Sequence, residues 1–142
     1  MTRSFEDKVR HDSLVKMMAK YFGSLGYTAI TADIDGYPTP NATWWKNKPQ
    51  EQRIPDLTCY KNDPSRTLII LEAETQPTLT TEHTKEQWKL FSAHAKQNKG
   101  EFHVVVPKDC SVAGSPISGQ GLVERIASEL GIIIDKIWWP KD

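Results

Sequence analysis

The chain has little that would fasten it to a membrane, to a disulfide framework or to polyanions in general. Only two of its 142 residues are cysteines, Cys59 and Cys110, far apart and without the short spacing of a metal site, so both are expected to be reduced thiols. Eighteen Lys and Arg against eighteen Asp and Glu leave no net charge, which excludes a global positive field drawing the protein onto nucleic acid or membrane. The longest apolar runs, TLIIL and FHVVV, fall far short of the roughly 18 to 20 residues that span a bilayer. The opening residues, MTRSFEDKVR, lack the apolar stretch of a secretory signal. His11, His83, His94 and His103 lack zinc-site spacing and read as surface or packing residues. No nucleophile elbow surrounds Ser92 or Ser118, and GSPISGQG lacks the lysine of a phosphate-cradling loop, reading instead as a plain connection before a helix. The expectation is a cytoplasmic protein, without a membrane segment or nucleotide site.

The elements that are present favour one α/β domain over residues 1–142. Leu14, Val15, Met18, Phe22 and Leu25 recur at three- and four-residue spacing, predicting an amphipathic helix over residues 4–22 that stops at Gly23 and Gly26. Residues 27–34 alternate and are β-branched, predicting a strand. Residues 36–55 hold four prolines, the adjacent Trp44 and Trp45, and Lys46, Lys48 and Arg53. They fit neither period and read as a long loop insertion. Short strands follow over residues 56–60 and 67–75, joined by a turn. Thr84 and Gln87 form a capping-box pattern before Trp88, Phe91 and Ala95, predicting a helix from about residue 84 to 97. FHVVV predicts a buried strand, Leu122 to Leu130 a helix ending at Gly131, and IIIDKIWW a closing strand. The order is αβββαβαβ: a meander, then strand-helix-strand units that favour parallel pairing, in a mixed sheet flanked by helices on both faces.

Side chains two apart on a strand share a face, so Glu72 and Glu74 project together while Leu71 and Ala73 face the other way. Paired strands lie about 4.8 Å apart, so Asp56 at the start of the neighbouring antiparallel strand brings a third carboxylate to the same place. Three converging acids repel one another unless a proton or cation intervenes, and hard oxygen ligands suit Mg²⁺ or Mn²⁺.

Pro55 and Asp56, followed sixteen positions on by Glu72, Ala73 and Glu74 at the end of an apolar strand and then a helix, resemble the PD-(D/E)xK, or restriction-endonuclease-like, nuclease superfamily. The resemblance covers residues 4–106, and the helix closing on Leu25, Gly26 and Tyr27 is similar to the opening of archaeal Holliday-junction resolvases. It implies a restriction-endonuclease-like sheet and a metal-dependent endonuclease hydrolysing DNA phosphodiester bonds. Asp56 and Glu72 would hold Mg²⁺ (or Mn²⁺). Glu74 stands where the superfamily carries a lysine and, as in some restriction enzymes, would serve as metal ligand or general base. The first helix would add an acid from among Glu6, Asp7 and Asp12, and Gln87 resembles a glutamine that approaches the site in several branches. Lys46, Lys48 and Arg53 would contact phosphates, and Trp44 or Trp45 would stack on an unpaired base.

A second reading stays open beside this one. The missing lysine and zero net charge suit a catalytically inactive binding or assembly module, with Lys85 and Lys89 as the cations placed to quench the acids. The tryptophan pairs Trp44–Trp45 and Trp138–Trp139 equally suit a covered sheet edge, and the apolar last strand suits a homodimer contact. Weak overall charge would also be tolerated in a nuclease subunit of a larger assembly.

Overall fold

The computed structural model describes residues 4–141. Three helices and seven strands follow the order α1 (Phe5–Ser24), β1 (Thr28–Ala32), β2 (Leu57–Tyr60), β3 (Leu68–Ala73), α2 (Glu82–Gln97), β4 (Glu101–Val105), β5 (Asp109–Val112), β6 (Ser115–Ser118), α3 (Gly119–Leu130) and β7 (Lys136–Trp138). Five of the strands form one mixed sheet in the order β1-β2-β3-β4-β7. The β1-β2-β3 meander is antiparallel, whereas β4 pairs parallel to β3 and β7 parallel to β4. The α/β class and the helix-flanked mixed sheet agree with the sequence. No described helix is long and apolar enough to cross a membrane.

Alternation along β3 divides the molecule into two cores. Ile69, Leu71 and Ala73 face α1, where they pack with Val15, Met18 and Phe22. Ile70 faces the other way, with Phe102 and Val104 of β4 against Trp88, Phe91 and Ile126 of α2 and α3. Each such large side chain, when fully buried, contributes about 1.5–3 kcal/mol. Helices on both faces therefore leave β3 without a solvent face. That explains its near-continuous apolar run and makes the acids at its end conspicuous.

Four details depart from the sequence reading. Leu25 caps α1 and is 42 % exposed, so the apolar stripe ends at Phe22. The cap of α2 is Thr81, whose hydroxyl accepts from the Thr84 N–H; Thr84 is the third helical residue and Gln87 takes no part in capping. GSPISGQG is no plain connection, because it holds β6 and the first turn of α3. Ala113 and Gly114, with φ of 51° and 82°, form the two-residue hairpin turn that joins β5 to β6. The Ser118 hydroxyl then caps α3. Gly119 must be glycine at that corner, because a Cβ would lie 1.9 Å from the Pro107 carbonyl oxygen. Finally, the closing strand shrinks to Lys136–Trp138, since residues 132–135 lie outside the ladder.

Trp138 belongs to an internal cluster. Its indole N–H donates to His103 Nδ1 at 3.0 Å, and its ring packs edge-on against Tyr21 and Phe22. An indole can only donate, so the neutral His103 ring carries its proton on Nε2 and donates to Glu101 at 2.9 Å. Glu101 is in turn bridged to Lys61 at 2.6 Å. Burial pulls His103 below its ordinary value against the opposing pull of Glu101 and Asp135. A ring that takes up its proton near pH 6.5 when unfolded but resists it when folded contributes stability that falls away as pH drops below about 6.5. Urea denaturation from pH 7.5 to 5 should show this loss, and His103→Gln should flatten the profile; an unchanged slope in the variant would remove His103 as its source.

Candidate metal centre

The β2–β3 ladder stops at the pair Leu57–Leu71, and the next residues continue it with side chains. Asp56 N–H donates to Glu72 Oε2 at 2.8 Å, while Ala73 N–H donates to Asp56 Oδ2 at 2.8 Å. Each acid thus satisfies a main-chain donor on the opposite strand, and the pair is fixed at the mouth of the sheet. Glu72 is 3 % exposed. Burial, followed by the charges of Asp56 and Glu74, drives its carboxyl well above the ordinary range. A cation between the acids would reverse that cost.

Asp56, Glu72 and Glu74 all line one cavity of about 550 Å³ that lies between the beginnings of α1 and α2. Glu74, 2 % exposed, sits just past β3, and its carboxylate is held from the helix side. Its Oε1 accepts from the hydroxyls of Thr78 at 2.8 Å and Thr84 at 3.3 Å, and its Oε2 accepts from the Trp88 indole N–H at 3.3 Å. It therefore anchors the start of α2. Lys85 and Lys89, expected as quenching partners, pair with Glu82 and Glu86 of their own helix, each at 3.6 Å.

The first helix contributes more than its spacing announced. Of its three candidate acids, Asp7 is the one that lines the cavity, where it is 4 % exposed, while Asp12 is bridged to Lys8 at 2.7 Å. His11, read from sequence as a packing residue, lies in the site: its Nε2 is 3.1 Å from Asp56 Oδ2 and its Nδ1 is 2.9 Å from Asp12 Oδ1. Both nitrogens face acceptors, an arrangement that a doubly protonated ring satisfies. The i, i+4 spacing of Asp7 and His11, which places both on one helix face, is the signal that could have found the pair. Asp33 also lines the cavity, and its N–H donates to the Asp56 carbonyl at 2.9 Å. Gln87 reaches the same wall.

Comparison with family models, with curated proteins and with solved structures gave no match. The chemistry therefore rests on geometry. Among the described residues, no three His, Cys, Asp or Glu side chains form a ready-made metal cluster. That is no obstacle for Mg²⁺, which keeps several waters and commonly takes only one or two carboxylates from the protein. Asp56 and Glu72 fit that role through the oxygens their ladder bonds leave over, Oδ1 and Oε1. Both oxygens of Glu74 are already engaged.

Of the loop residues singled out for nucleic acid, Trp45, Lys48 and Arg53 line a cleft with Glu86, Gln87 and Leu90 of α2. Thr43 and Arg53 pair across the loop, and the Thr43 hydroxyl meets His94 Nδ1 at 3.1 Å, pinning the loop to the helix. Trp44, Trp45, Lys46 and Lys48 are exposed and Arg53 is half-buried. The loop is thus fixed at its base.

The structure separates the roles of the two buried glutamates. Glu74→Ala should destabilise the fold by about 3 kcal/mol, whether or not metal is added, because it takes the acceptor from the Thr78 hydroxyl just before α2 and from the Thr84 hydroxyl and Trp88 indole on it. Glu72→Gln should raise the stability of the metal-free protein, because it removes the cost of burying a carboxylate beside Asp56 and Glu74. Urea denaturation in EDTA measures both; stabilisation by Glu74→Ala, or loss in Glu72→Gln, would contradict these roles.

Proposed function

We propose that this chain is a metal-dependent endonuclease of the PD-(D/E)xK type, acting on DNA phosphodiester bonds. The observation that carries the reading is the reciprocal Asp56–Glu72 pairing at the end of a buried strand, which holds two carboxylates together where only a cation or proton makes their closeness tolerable. Asp56 and Glu72 would hold Mg²⁺ or Mn²⁺, with Asp7 beside them on the cavity wall. When bound, the ion would supply the charge that binds a phosphate and the acidity that activates water.

The chain's own groups would do the rest. No Lys or Arg lines the cavity among the described residues, so its acids would repel a phosphodiester in the absence of the cation. His11 braces Asp56 from α1, its Nε2 3.1 Å from Asp56 Oδ2, on the opposite wall from position 74, where the resembled motif carries lysine. Glu74 positions α2, and Gln87 on that helix faces the place where the substrate backbone would enter.

A second reading keeps the fold without the chemistry. The engagement of both Glu74 oxygens favours it, since that carboxylate would have to leave the α2 donors before acting as ligand or base. In that case the protein is a binding or assembly module.

Calorimetric titration of Mn²⁺ into the wild type and into Asp56→Ala, with plasmid nicking measured on the same samples, separates the two. Saturable binding and nicking that are both lost in the variant, with nicking reduced at least about a hundredfold, are the expected result. Binding without nicking supports the assembly module, and no binding at millimolar Mn²⁺ overturns the metal site.

A further inference from the structure

A groove leaves the acidic cavity and runs along α2. Gln87 lines both the cavity and a neighbouring cleft that also contains Lys48, Arg53 and Trp45. Trp45 in turn lines both that cleft and a further pocket of about 490 Å³, walled by Lys89 and Lys96 of α2 and by Ile132 and Ile133 beyond α3. The three depressions are thus joined through shared residues. Gln87 and Lys96 are nine positions apart on α2, so they mark off about 13 Å at 1.5 Å per residue.

The character of the lining changes along this path. The cavity end carries Asp7, Asp33, Asp56, Glu72 and Glu74. Beyond Gln87 come Lys48, Arg53, Lys89 and Lys96, accompanied by Glu51, Glu86 and Asp135. Glu51 is 4.0 Å from Lys48, Glu86 is 3.6 Å from Lys89, and Asp135 accepts the Phe102 N–H at 2.8 Å. Among the described residues, Arg53 and Lys96 have no carboxylate partner. The far pocket combines an aromatic face, Trp45 at 37 % exposed, with an apolar wall, including Ile133 at 67 % exposed. The loop that carries Trp45 is tied down by the Thr43–Arg53 pair and by Thr43 to His94, and within it Lys48 N–H donates to the Trp45 carbonyl at 2.9 Å. The backbone that carries Trp45 is held in place before any ligand arrives.

We infer that this groove receives an unpaired strand of nucleic acid, with one base stacked on Trp45 in the far pocket and its backbone carried past Lys96 and Arg53 toward the acidic cavity. The inference rests on the nuclease reading for what happens at the cavity, and it adds the substrate class: a single strand or a frayed segment in preference to an intact duplex. A paired base has its faces covered by its neighbours and would have to unstack before meeting Trp45. An unpaired one presents its face at little cost, and stacking tolerates any sequence. Four cations against three acids suit a weak, salt-sensitive grip on the backbone.

Fluorescence anisotropy with a labelled dodecameric oligothymidylate and a duplex of the same length, each measured in EDTA and again in Ca²⁺ to offset the cavity acids, tests the groove without turnover. The single strand should bind more tightly. Trp45→Ala should weaken it about tenfold or more, Trp45→Phe should restore most of that loss, and Lys96→Ala should reduce the salt slope by about 0.7. Equal affinity for the duplex, no binding of either, or unchanged affinity in Trp45→Ala would overturn the inference and leave the apolar pocket to a protein partner. Mn²⁺ titration of Trp45→Ala keeps the two readings apart. Metal binding retained with single-strand affinity lost supports both, whereas single-strand binding by a wild type that takes no Mn²⁺ supports the groove and rejects the nuclease.

Discussion

Where the β2–β3 ladder runs out, Asp56 and Glu72 take over its hydrogen bonds, each accepting a main-chain N–H from the opposite strand. Much of the cavity is arranged around that exchange. It ties the end of the long loop to β3, fixes the distance between two acids, and keeps Glu72 buried at a place where its charge is expensive. The same bonds engage one oxygen of each carboxylate, and both residues line the cavity. A structural role and a metal-binding role are therefore compatible in the same pair, since the first uses one oxygen of each and the second would use the other.

Around this pair the helices divide the work. Thr78 in the turn before α2, with Thr84 and Trp88 on the helix, holds Glu74, so the acid at the resembled lysine position stabilises the junction between strand and helix. α1 brings Asp7 and His11 to the other wall. The ring of His11, between Asp12 and Asp56, and that of His83 near the start of α2 are, among the described residues, the two imidazoles in a lining that holds five acids. The cations expected to neutralise the acids are spent locally, Lys85 on Glu82 and Lys89 on Glu86. Such exposed i, i+3 pairs contribute little to stability, and they leave the interior charge unanswered.

At the opposite end of the sheet a second polar network has a different purpose. His103 joins Trp138 of the edge strand to Glu101 and through it to Lys61. An edge strand of three residues has few ladder bonds of its own, and the half-buried indole bond with the aromatic packing of Tyr21 and Phe22 adds to them. The aromatic pair at the chain's end thus has a role within the fold, for Trp138 at least.

The sequence by itself determined the mixed α/β order, the division of β3 into two apolar faces and the meeting of Asp56 with Glu72, because alternation and strand spacing are local rules that survive packing. It also marked residues 36–55 as irregular, through prolines that no ladder accepts. Only the tertiary structure decided that Glu74 turns to α2, that Asp7 and His11 complete the wall, and that Trp45 connects two clefts. His11 meets Asp56, and Trp45 meets α2, across more than forty positions; the i, i+4 spacing puts Asp7 and His11 on one face of α1 without saying what that face meets, and Glu74 finds its partners only because the chain turns back after β3. The β5–β6 hairpin escaped notice for a local reason: Ala113 takes a left-handed conformation that asparagine or glycine ordinarily signals. The cap of α2 was misplaced because Thr81 and Thr84 are interchangeable in composition, and only the direction of the approaching chain tells which hydroxyl meets which N–H.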